Sequence, residues 1–278
     1  MTFRHPMLDY RFSRLAGVRD SVRWALVLSV TVATILMLFF LPRITQDQAY
    51  HHFADDRTLL GIANFWNVVS NIPFMFIGVC GFILLRKQWK QDLFSDWYEL
   101  VPYVGLFFGI FLTAFGSAYY HSYPDDGSIV WDRIPMTVIF MSFISIVLLE
   151  RLGHKTGFWL FWLILLLGVG SVAYWRWTSI YGVGDLRYYA WIQFYSPVFV
   201  VLILYLFPEP FPPVSDIAGI FMIYALAKVC EYFDYGIYRA IHVFSGHTVK
   251  HFVAAASLLW VLIMISKRKH QVVRAVRD

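Results

Sequence analysis

The chain has 278 residues, 59% of them hydrophobic and 15% charged, with a net charge of +5. Apolar residues gathered into repeated blocks of membrane-spanning length exclude a water-soluble globular domain. The basic residues flank these blocks without an aromatic-basic groove pattern, which points to anionic lipid headgroups as their partner and excludes nucleic acid.

Eight spans are predicted, at about 23–42, 65–85, 100–120, 132–150, 157–175, 189–207, 215–233 and 247–266. The first, Trp24 to Leu41, is longer than the apolar core of a secretory signal. It ends in Leu41-Pro42-Arg43 in place of a small-residue cleavage site, so it reads as a span. A long outer segment, 43–63, follows with His51, His52, Asp55, Asp56 and Arg57. Its two adjacent histidines would point in different directions on a helix and are read as loop residues. The second span opens on a polar stripe of Asn64, Asn67, Ser70 and Asn71, suited to interhelical hydrogen bonds, with a role linked to an ion as the alternative.

The hairpin of the third and fourth spans carries the first reactive groups. Ser117 and His121 are one helical turn apart, and Asp132 lies eleven residues past His121, across a turn rich in Pro, Asp and Gly. A hydroxyl, an imidazole and a carboxylate can thus share one cavity. The plainer reading of Asp132 is a helix cap or an ion pair with Arg133. Glu231 and Asp234 end the seventh span, where they could pair with Arg239, orient a histidine or bind a cation. His247 and His251 open the eighth span four residues apart, and so share a helix face. With His121 opposite, they give three imidazoles and leave a fourth position for water, the arrangement of a catalytic zinc site. His242 is a weaker candidate to support it. His154 lies beside Lys155 on the other side, His5 and His270 fall in polar tails, and Cys80 and Cys230 read as small core residues.

Basic residues orient the bundle. Arg4, Arg11, Arg14, Arg19 and Arg23 precede the first span. Arg86, Lys87 and Lys90 follow the second, Arg151 and Lys155 the fourth, and Lys267, Arg268, Lys269, Arg274 and Arg277 the eighth. An even number of spans puts them all on one side, the cytoplasmic side by the positive-inside rule, with both termini there. The loop Pro208 to Pro213 has no Lys or Arg, and Arg176 and Arg187 run against the pattern. His121, Asp132, His247 and His251 then meet at the outer ends of their spans.

The stretch Asn64-Phe65-Trp66-Asn67-Val68-Val69-Ser70-Asn71, the pair Ser117 and His121, the block Trp131-Asp132-Arg133-Ile134-Pro135-Met136, and the pair His247 and His251 occur in this order. Together they resemble the alkaline ceramidase family, as a bacterial-type member, within a wider superfamily of seven-span zinc membrane hydrolases that includes the adiponectin-receptor-like proteins. The resemblance covers residues 50 to about 266. It implies an all-α integral membrane protein, a seven-helix transmembrane bundle with one additional N-terminal transmembrane helix. The domains would be an N-terminal tail and extra helix (1–49), a ceramidase-like domain (50–266) and a basic cytoplasmic tail (267–278).

The resemblance further implies a zinc amidase that cleaves the N-acyl bond of ceramide. His121, His247 and His251 would be the zinc ligands, Asp132 the carboxylate that handles the attacking water, and Ser117 the hydroxyl beside the metal. The substrate would be a membrane lipid, and the setting a bacterial inner membrane with the site toward the outer side. Animal and fungal members have an acidic calcium-binding segment closed by a glutamate where this chain has Asn64, a departure that puts calcium in doubt. An esterase or phospholipase acting on acyl-glycerolipids is the enzymatic alternative. A lipid-responsive receptor-like protein with a structural zinc is the alternative from another class.

Overall fold

The computed structural model describes residues 18–207 and 211–268. In chain order the elements are α1 (Asp20–Phe40), a 3-10 turn (Gln48–His51), α2 (Phe65–Val69), α3 (Ile72–Lys90), α4 (Trp97–Ser122), α5 (Ile129–Leu152), α6 (His154–Ile180), α7 (Arg187–Leu206), α8 (Val214–Tyr232), α9 (Asp234–Ile241) and α10 (Gly246–Ser266). Arg4, Arg11, Arg14, His5, Lys269, His270, Arg274 and Arg277 lie outside the described residues, as does the start of the Pro208 to Pro213 loop.

Among the described residues, seven helices are long and apolar enough to cross a membrane, with Phe65–Lys90 counted as one and α1 included. This corrects the expected architecture of a seven-helix bundle with an eighth, additional helix at the N-terminus. The expected span at 215–233 does form a helix, α8, but its 19 residues include Asp216, Lys228 and Glu231. These three charges keep it out of the apolar set. Each is held by a partner: Asp216 accepts from Trp260 Nε1 at 3.1 Å and stands 3.6 Å from Lys267 Nζ, while Glu231 bridges Lys228 and Lys250. A helix tied by polar contacts to its neighbour does not need a fully apolar surface.

α5 is the central helix, and every residue from Met141 to Glu150 is buried. Of the seven membrane-length helices α1 is the least buried, with Val27 and Leu38 alone buried in it. The outward faces carry large apolar side chains such as Phe39, Trp159, Leu166 and Met222. In water such a surface would drive aggregation; against lipid tails it is matched. α4 and α5 approach closely at Gly116, where a Cβ would stand 2.0 Å from the Trp131 carbonyl oxygen. This contact sets Ser117 and Asp132 across the same seam.

The two ends of the bundle differ in chemistry. At one end, Arg268 binds Glu150 at 3.1 Å and Glu99 at 3.4 Å, Tyr103 donates to Glu150 at 2.5 Å, and His154 meets Glu99 at 2.7 Å. Arg268 also donates to the Leu93 carbonyl and lies over the Phe94 ring. At the other end, Arg187 pairs with Asp185 and donates to the carbonyls of Leu38 and Leu41, each at 2.7 Å. Arg187, which runs against the basic pattern, is therefore engaged as a cap for the end of α1.

Candidate metal centre

α10 starts at a well-held turn. Ser245 accepts from the Thr248 amide at 3.1 Å, and Asp234 Oδ1 accepts from the His247 amide at 2.7 Å, so helix donors that would otherwise be orphaned are met. His247 and His251 then follow on one face. His121 comes from the last turn of α4, where Asn64 Nδ2 donates to its backbone carbonyl at 2.8 Å. Asn64 sits at φ +48°, a left-handed conformation that Asn tolerates better than most residues.

The three imidazoles converge. Nε2 of His121 and Nε2 of His247 are 3.3 Å apart, and ligand atoms of all three histidines fall within 4.8 Å of one another. All three side chains are buried. Tetrahedral coordination at a Zn–N distance of about 2.0–2.1 Å separates ligand nitrogens by roughly 3.3 Å, so the closest pair already has that spacing. Ser70 Oγ lies 2.7 Å from His251 Nδ1 and 3.3 Å from the Asn67 carbonyl. The hydroxyl can give its proton to the carbonyl and accept Nδ1–H, which leaves the Nε2 lone pair of His251 for an ion. His121 Nδ1 is buried with no hydrogen-bond partner. The donor set therefore fits a metal ion. Phe53 covers the cluster, its ring centroid 4.8 Å from both His121 and His247.

Ser117, Asp132 and His251 line one cavity of about 380 Å³, within the range of ligand pockets. From these groups it runs between apolar side chains that include Leu106, Phe143, Ile144 and Val261. The Ser117 hydroxyl stands next to the Asp132 carboxylate in this cavity. The plainer readings of Asp132 do not hold: the cap of α5 is Ser128, and Arg133 instead bonds Gln46 and lies over the rings of Trp175 and Tyr189.

The polar stripe makes the expected interhelical hydrogen bonds and reaches the histidine cluster. Asn67 Oδ1 accepts from Thr248 at 2.8 Å across helices, while Ser70 touches a triad imidazole. Of the acidic pair, Asp234 supports the His247 backbone and accepts from the Ala54 amide at 2.9 Å. Glu231 binds Lys228, Lys250 and Tyr50. Neither carboxylate pairs with Arg239 among the described residues. His242 is exposed at the end of α9, and His52 is exposed. His51, read as a loop residue, is buried, with Nδ1 3.0 Å from the Tyr120 hydroxyl and Nε2 3.0 Å from Asp126 Oδ1. Cys230 is buried as expected, but Cys80 is exposed on the outer face of α3.

Residues 58–207 match the Ceramidase family. The match includes Ser117, His121 and Asp132 and stops before His247 and His251, which the fold returns to His121. No curated protein matches the chain. More than half of the 278 residues are covered, and the histidine cluster is of the kind a seven-span zinc hydrolase needs: the chain belongs to the ceramidase family.

Proposed function

We propose that the protein is a zinc-dependent intramembrane hydrolase that cleaves the amide bond of ceramide-like N-acyl lipids. One observation carries the reading: of three clustered, buried imidazoles, His251 lines the same largely apolar cavity as Ser117 and Asp132. An all-imidazole set suits zinc better than magnesium or calcium, which take oxygen ligands. A bound zinc ion supplies Lewis acidity and a water acidified to near neutrality.

The remaining work falls to the chain's own groups. Asp132 accepts the proton of the attacking water and delivers it to the departing amine. Ser117, held beside Asp132, donates to the carbonyl oxygen as negative charge builds there. Ser70, Asp234 and Asn64 keep the imidazoles in place through His251 Nδ1, the His247 amide and the His121 carbonyl. The acyl chain lies among the apolar side chains, each buried methylene contributing about 0.8 kcal/mol.

The site belongs on the outer face of a plasma membrane in this reading. Lys87, Lys90, Arg151, Lys267 and Arg268 fall at the helix ends opposite the histidines, where the positive-inside rule puts the cytoplasm. The test is release of free fatty acid by purified protein from a panel of N-acyl and O-acyl lipids, with zinc measured on the same sample. Amide turnover with about one zinc per chain is expected. Turnover of esters alone would select the esterase. Zinc-loaded, folded protein that cleaves nothing would overturn the hydrolase and favour a helix-stapling metal in a receptor-like protein.

A further inference from the structure

The polar lining of the cavity is more cationic than a neutral lipid requires. Arg133, Lys228 and Lys250 line it with two acidic side chains, Asp132 and Glu231. Glu231 lies 2.8 Å from Lys228 Nζ and 2.7 Å from Lys250 Nζ, and accepts from the Tyr50 hydroxyl at 3.0 Å. An ammonium has three donors, and each lysine gives one to Glu231. This trio therefore keeps one positive charge in excess and donors to spare.

Arg133 adds a second cation. Its side chain is only 7% exposed and lies over the rings of Trp175 and Tyr189, at 4.3 Å and 4.9 Å. Nη2 donates to Gln46, but Nη1 is buried without a partner, and among the described residues no carboxylate forms an ion pair with Arg133. A cation withdrawn from water in a membrane is costly, and this one keeps an Nη1 with no hydrogen-bond partner. A guanidinium fork matches a carboxylate or phosphate. Sequence position also matters: Lys250 sits between His247 and His251, and Arg133 follows Asp132, so these cations are neighbours of the reacting groups.

We infer that this polar lining recognises an anionic group, a carboxylate or a phosphate, carried by the amine half of the lipid. Resting on the hydrolase reading above, the substrate class is then acidic N-acyl lipids rather than neutral ceramide. The acyl chain lies in the apolar part, the amide beside Ser117 and Asp132, and the anion against Arg133, Lys228 and Lys250.

Binding tests this apart from catalysis. Full-length, zinc-loaded protein in neutral detergent is titrated with non-cleavable amphiphiles of one chain length that end in a carboxylate, a phosphate or a hydroxyl. The anionic pair should bind about tenfold tighter or more, the scale of a hydrogen bond to a charged group. The advantage should shrink in Arg133→Gln and in Lys250→Gln, and be largely kept in Arg133→Lys. Zinc content and circular dichroism show that each variant is folded. Equal affinity for all three amphiphiles, or an advantage that both glutamine variants retain, overturns the inference. So does equally effective competition by inorganic phosphate or by an anionic diacyl lipid, since the anion would then not belong to the substrate. In turnover, kcat/KM should favour an acidic N-acyl lipid over its neutral match, and the reverse order also overturns it. Failure of the hydrolase reading has a different signature: preferential anion binding with no fatty acid released from any lipid.

Discussion

Asp132 reaches the cavity from the first turn of α5 and meets the Ser117 hydroxyl across the α4–α5 seam. In the proposed reaction the carboxylate moves the proton, a contribution of ~10²–10⁴-fold for a positioned base. The hydroxyl shares its task with the metal. Asp132→Asn should therefore keep zinc and lose most turnover, and Ser117→Ala should lose less, chiefly in kcat. Near-normal turnover by zinc-loaded Asp132→Asn would move the proton transfer to another carboxylate. His247→Ala and His251→Ala should each release zinc, and metal analysis that finds both still loaded would dismiss the triad. In the loop that joins His121 to Asp132, amide hydrogen bonds from Ser128 and Gly127 hold the Asp125 carboxyl below its usual range. A carboxyl depressed on folding stabilises fully above its unfolded value of about 3.9 and loses that contribution as pH falls through its folded value. Asp125→Asn should accordingly flatten the acid limb of a thermal-unfolding profile, and an unchanged limb would rule the loop out as its source.

What could be read from the sequence at this scale followed from spacing. His247 and His251 share a face by the four-residue rule, and Ser117 and His121 by the same rule. The partners of these groups were hidden because they are set by tertiary contact. Ser70 reaches His251 across 181 positions, and His51 reaches Asp126 across 75. Nothing near His51 in the chain distinguishes it from the exposed His52.

At the scale of elements, α4 and α5 depend on Gly116. A methyl there would collide with the Trp131 carbonyl, which is backbone and cannot swing aside. Gly116→Ala should thus part the two helices next to Ser117 and Asp132, with a fall in thermal stability of about 1–3 kcal/mol, as overpacking costs, and a larger fall in turnover. A variant with wild-type stability and activity would show that the seam has slack. The same scale explains the miscounted span. Reading 215–233 as an apolar block passed over Asp216, Lys228 and Glu231, charges that α8 carries with Trp260 and Lys250 on α10 to answer them. The apolar blocks were legible because lipid demands them one helix at a time, whereas α8 is defined by its neighbour.

The whole molecule is closed at the end away from the histidines by Arg268, Glu99 and Glu150, all buried. Removing the Arg268 guanidinium takes the central cation from this buried cluster, while Tyr103 still donates to Glu150 and His154 still meets Glu99, so Arg268→Gln should cost about 3 kcal/mol, the low end for breaking a buried ionic group. Replacing Arg268, Glu99 and Glu150 together with apolar residues should recover much of it. Thermal unfolding in detergent distinguishes the two, and zinc content should stay unchanged in both, since the triad is at the opposite end. A single variant as stable as the wild type would mean that Tyr103 and His154 hold the carboxylates without it.

Phe53 gives the site a clock. Its ring is buried and lies against His121 and His247, so a chelator that approaches from that side must first displace the segment around it. Metal loss is then governed by the opening of this segment and not by affinity alone: with excess chelator, the rate should level off at a value independent of chelator concentration. Phe53→Ala should remove that plateau and accelerate exchange while the affinity at equilibrium changes much less. A loss rate that rises in proportion to chelator in the unaltered protein would show that the ring is no barrier.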